Sequence, residues 1–149
     1  MNTGWPRLTQ EDLEWKLAQL EAYCSNCRLH KTLGPALELS TCVAGRSLLE
    51  FIGIRVNWQA PPYELRPKKK QGHDVNCEDF GIAPFPIETL SSSDREILSN
   101  FIIRAHRIAH FTRDDEPDRH NWTCHAVPLI NRLFKEHFYD QVKDRIPIK

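Results

Sequence analysis

Apolar residues recur at helical spacing over two stretches of the chain and fall out of register between them. Near the start, Leu13, Leu17, Leu20 and Cys24 follow one another on one face, and Cys27 continues the stripe. This predicts an amphipathic helix from about Gln10 to His30. Thr9 with Asp12 three residues later has the form of a capping box, with Asp where Glu is usual. Trp15 lies off the stripe, placed to touch another element. Gly34-Pro35 closes this helix and opens a second, because proline suits the first helical position. The second helix reads PALELSTCVAGRSLLEFIG and stops at Gly53. Leu39, Cys42, Val43, Leu49, Phe51 and Ile52 make it apolar around much of its circumference, the pattern of a central helix. Ala44-Gly45 leaves a narrow place where a neighbour can approach, and Arg46 is an unexpected charge beside it.

From Ile54 to Ser92 the periodicity breaks. Five prolines (Pro61, Pro62, Pro67, Pro84 and Pro86), Gly72, Gly81 and the basic run RPKKK fall here. The segment reads as an excursion over the surface with at most short turns, and no segment of useful length has strand period. A third helix opens with Ser93-Asp94-Arg95-Glu96 as a capping box. Ile97, Phe101, Ile108 and Phe111 share one of its faces, with Leu98, Ile102, Ala105 and Ala109 alongside, and it ends before Asp114-Asp115-Glu116-Pro117. A fourth covers roughly Thr123 to Lys143, with Leu129, Leu133, Phe134, Phe138 and Val142 inward. Pro128 makes its first turn irregular or marks its regular start. The fold expected is all-α: one domain over 1–149, an antiparallel bundle of about four helices with an irregular insertion at about 54–92.

Composition narrows the class. The 149 residues are 40% hydrophobic and 27% charged, ordinary for a globular domain able to bury a core without disulfides. Lys plus Arg equals Asp plus Glu at 20 each, so no global field steers the chain onto nucleic acid. Five cysteines, an odd number, argue against a paired disulfide framework. With no leader and no apolar span to be read, a reduced, cytoplasmic protein without a membrane partner is expected.

The third helix holds the candidate chemistry in IIRAHRIAHFTR, residues 102–113. His106 and His110 lie one turn apart, and Arg107 and His110 are neighbours at i and i+3. Arg104 instead falls on the apolar line and needs a counter-charge, from Glu50 or from a second copy of the chain. Metal ligation could draw on Cys24, Cys27 and His30, on His73 and Cys77, or on His106 and His110. Cys24 and Cys27 are already accounted for as apolar stripe, so no metal and no cofactor are expected. Lys68, Lys69 and Lys70, after Arg66 and near Trp58 and Tyr63, could cover a phosphate backbone and stack a base. Glu64, Asp74, Glu78 and Asp79 reduce that field. No Gly-rich phosphate loop, nucleophile elbow or HExxH motif occurs.

The string AGRSLLEFIG, then RAHRIAHFTR, Trp122 and the apolar final helix resemble uncharacterised bacterial HEPN-like proteins. In that group a helix of the ARxLLEFL kind precedes one reading hxxhAHLTxxR, then a Trp and a last helix. The resemblance covers about half the chain, mainly Leu37 to Gly53 and Leu98 to Phe138. It implies a helical bundle that dimerises, here through the third and fourth helices. Active members of the wider superfamily are metal-independent RNases with an Arg followed, after a short spacer, by a His. Arg104 and His110 match that spacing, with His110 as general acid or base and Arg104, joined by Arg107, on phosphate. Ala105 stands where active members commonly carry a polar residue, and on a straight helix Arg104 and His110 point about 120° apart. The leading expectation is therefore a dimeric binding or interaction module, with RNA or a protein as partner. In it Arg46, Glu50 and Trp122 serve packing or the dimer contact. A metal-independent endoribonuclease is the alternative, and a zinc-stabilised adaptor a third reading.

Overall fold

The computed structural model describes residues 10–26, 34–59, 61–72, 74–109 and 119–144, and the statements below concern these. The described chain is mostly helical, with four long helices and one small two-stranded sheet. Helix α1 spans Gln10–Asn26, and Leu13, Leu17 and Leu20 are buried as their spacing requires. Trp15 does not reach a neighbour's interior: it is 59% exposed. Helix α2, Gly34–Phe51, is the hub, touching α1 and both later helices. Thr41, Cys42, Ala44, Leu48 and Leu49 are buried, but Leu39 and Val43 stay on the outer side at 44% and 50% exposure. The helix is thus one-sided rather than apolar all round.

Gly45 is the point of closest approach. A Cβ there would lie 2.6 Å from Cζ of Phe101 and 3.3 Å from Cδ1 of Ile130, residues of the third and fourth helices. The missing side chain therefore lets both helices seat on α2. Gly53 ends the helical run with a positive φ of 89°, and a Cβ there would meet Pro84 at 2.8 Å.

The segment after Gly53 adds one small sheet to the helices, where only short turns were expected. Ile54–Val56 forms β1 and Leu65–Pro67 forms β2, an antiparallel pair in which Ile54 faces Pro67, Arg55 faces Arg66 and Val56 faces Leu65. Backbone bonds from Asn57 N to Glu64 O and from Lys68 N to Gly53 O, both 2.8 Å, extend the ladder at its two ends. Alternation of bonded and non-bonded pairs puts Pro67, which has no N–H, at a position that needs no donor. Nor is the segment a surface excursion: Ile54, Val56, Cys77, Phe80, Ile87 and Leu90 all belong to the core. A 3₁₀ turn at Cys77–Phe80 carries two of them inward. Asn76 caps it, accepting from Glu78 N at 3.1 Å while its own N–H donates to Asp79 at 2.9 Å.

Helix α3, Ser92–Ala109, is capped two residues before the expected Ser93, because Ser91 Oγ accepts from Asp94 N at 3.0 Å. Helix α4, Arg119–Phe134, runs through Pro128, which is exposed, so proline neither starts the helix nor stops it. It continues as a π turn at Lys135–Tyr139 and a last turn at Asp140–Val142. Phe138 on the π turn meets Phe51 at 4.6 Å edge-on and Phe80 at 5.3 Å, between ring centroids. Phe134 joins this group at 5.5 Å from Phe138. No described helix is long and apolar enough to cross a membrane.

Candidate functional site

Arg104 is buried at 7% exposure, as its place on the apolar stripe of α3 implied. Its counter-charge is Glu38, not Glu50. Nε of Arg104 donates to Glu38 Oε1 at 2.8 Å, and Nη2 closes on the same oxygen. Glu38 lies on α2 one turn before buried Cys42, so its side chain starts near the α2–α3 contact. Glu50 is occupied elsewhere: Arg46 Nε donates to it at 2.7 Å, as an i, i+4 pair, and Lys68 Nζ lies 3.4 Å from its other oxygen. Arg46 and Glu50 also line a groove of about 290 Å³ between α2 and α3, with Val43 and Ala109.

Beside Arg104 opens the larger cleft, about 590 Å³, between the hairpin and α3. Pro61, Tyr63 and Leu65 form one wall; Ser99, Asn100 and Ile103 form the other. Arg95, Arg104 and Arg107 bring positive charge to it, and Glu64 and Glu96 bring negative charge. Arg104 is held by Glu38, and Arg95 donates to the carbonyls of Leu90 at 3.2 Å and Glu88 at 3.0 Å. Ser99 Oγ donates to the Tyr63 carbonyl, tying the cleft's two walls together.

Trp58 adds an aromatic step. Its ring stands 4.6 Å from that of His106 and 5.6 Å from that of Tyr63, and it remains 40% exposed. His106 thus faces the hairpin. His110 lies outside the described residues, as do Cys27, His30 and His73; the side chains of Trp122 and Cys24 are likewise not described. No group of three metal-ligating side chains occurs among the described residues. Cys42, Cys77 and Cys124 are free thiols. Burial pushes the Cys42 thiol up to about 12 and the Cys77 thiol up to about 11, so both stay protonated at neutral pH.

The lysine run divides. Lys68 lies 3.2 Å from Asp74 and also faces Glu50, and Lys70 pairs with Asp79. Lys69 points outward and is exposed. Hydrogen bonds from Lys70 and from the Asn76 backbone hold the Asp79 carboxyl below its ordinary range. Glu38 and the cleft residues Ser99 and Asn100 were not among the residues expected from sequence, whereas Tyr63 on the opposite wall was noted there beside the lysine run. The one available sign was Glu38 itself, an acid between Leu37 and Leu39 in the helix expected to be central.

Comparison of the chain with known protein families, with curated proteins and with solved structures finds no match.

Proposed function

We propose that the chain is a HEPN-like binding module: an antiparallel helical bundle, with the 54–92 segment as its insertion, that pairs with a second copy of itself in the cytoplasm. In this reading the cleft between the hairpin and α3 takes a polar ligand from RNA or a protein partner. Arg46, Glu50 and Trp122 serve packing or the dimer contact. The observation that supports a module over an enzyme is the clamp of Glu38 on Arg104, 2.8 Å at Nε in a buried setting. A guanidinium already neutralised inside the protein has less to offer a developing phosphate charge.

The endoribonuclease reading keeps one observation of its own, that Arg104 and Arg107 line the same open cleft. Incubation of mixed RNA with the protein in metal-free buffer separates the two. A binding module leaves the RNA intact with wild type and with His110→Ala. Cleavage by wild type that disappears in His110→Ala overturns the module in favour of the enzyme. Light scattering on the same samples tests the pairing, for which a mass of twice the 17.4 kDa chain is expected.

A further inference from the structure

Arg55 and Arg66 stand directly opposite each other across the hairpin. Register partners project from the same side of a sheet, here the side away from buried Ile54 and Val56. Two like charges so placed repel one another, and this ladder has only three paired positions to resist that. Their neighbours are provided with carboxylates: Arg46 by Glu50, Lys68 by Glu50 and Asp74, Lys70 by Asp79. Among the described residues neither Arg55 nor Arg66 has one. The Nε atoms of both are buried and have no hydrogen-bond partner, while each residue as a whole is half-buried. Glu64 and Lys68 flank Arg66 at two-residue spacing on the same side. Glu64 is exposed and makes no ion pair with either arginine.

We propose that Arg55 and Arg66 together bind a phosphate group on the outer face of the hairpin, with Lys68 at its edge. A planar carboxylate satisfies one guanidinium fork. A tetrahedral phosphate has enough oxygens to accept from two forks at once and cancels the repulsion between them. Neither arginine lines the cleft, so the site stands apart from the function proposed above. The phosphate belongs either to a small phosphorylated compound or to a nucleic-acid backbone.

The test uses the full chain, with pyrophosphate and a single-stranded RNA oligonucleotide as probes. Pyrophosphate is expected to raise the unfolding midpoint of wild type above that in sodium chloride of equal ionic strength. Arg55→Gln and Arg66→Gln should each weaken its binding about tenfold, the scale of one lost charge-assisted contact. In phosphate-free buffer each single variant should be at least as stable as wild type, since it loses only the like-charge opposition, and circular dichroism verifies its fold. Loss of oligonucleotide binding in the double variant assigns the site to a phosphodiester; loss of pyrophosphate alone assigns it to a small phosphate compound. Equal stabilisation by chloride, unchanged affinity in the variants, or single variants less stable than wild type without phosphate would each overturn the proposal.

Discussion

A guanidinium folded into an apolar helix face must find its counter-charge inside the protein, and Glu38 supplies it to Arg104 from the first half of α2. Removing one partner breaks the pair and leaves the other charge in a buried setting, whereas removing both leaves only a packing problem. Glu38→Ala is therefore expected to cost about 3 kcal/mol, the low end for a broken buried pair because Glu38 keeps 22% of its side-chain surface. The double variant Glu38→Leu with Arg104→Met should fall within about 1 kcal/mol of wild type. Urea unfolding measures both, and equal losses in the two variants would mean that the pair has no special weight. Asp79 gives the acid-side counterpart. Its carboxyl is lowered by Lys70 and by the Asn76 N–H, so its stabilisation is present above the unfolded value of about 3.9. That contribution disappears as pH falls through the lower folded value. Asp79→Asn should flatten this part of the stability–pH curve and lower stability at pH 7; an unchanged curve below pH 4 would exclude it.

At the scale of elements, the helices were legible because their apolar spacing coincides with burial. Leu13, Leu17 and Leu20, or Phe101 with Leu98 and Ile102, read the same way in sequence and structure. The hairpin was not legible, since three-residue strands are too short to establish a period of two, and five prolines in the segment pointed to loop. The Arg46–Glu50 pair could be read from its i, i+4 spacing, but Glu38–Arg104 spans 66 positions and only the packing of α2 on α3 brings it together. Ala44-Gly45 was legible as a narrow spot because small residues interrupt a helix of larger ones. Its tightness decides a third prediction. In an exposed helix, replacing Gly gains up to about 1 kcal/mol. At Gly45, Val should instead cost about 2 kcal/mol or more, because Phe101 and Ile130 already occupy the space. A raised melting temperature for Gly45→Val would show that α3 and α4 can shift away without loss.

Over the whole molecule, the question is whether the segment between α2 and α3 rides on the helices or is part of what holds them. Four phenylalanines argue for the second. Phe51 closes α2, Phe134 and Phe138 come from the end of α4, and Phe80 enters from the 3₁₀ turn; Phe51 and Phe80 lie 5.9 Å apart between ring centroids. Phe80 is buried, and its turn is anchored by the Asn76 cap and by the bond from Ile82 N to Cys77 O at 3.1 Å. If this cluster joins the segment to the helices, Phe80→Ala removes a ring from a core shared by both. The expected cost is about 3–5 kcal/mol, as for other buried aromatic truncations. A decorative surface loop would lose less than about 0.5 kcal/mol. Hydrogen exchange separates the cases further. In wild type, the amides of Phe85 and Lys68, bonded to Ile52 O and Gly53 O at 2.8 Å, should open with the same free energy as the middle of α2. In Phe80→Ala both sets should lose protection together. Exchange of the 54–91 amides at far lower free energy than α2 in wild type would mean that the segment folds onto the helices without stabilising them.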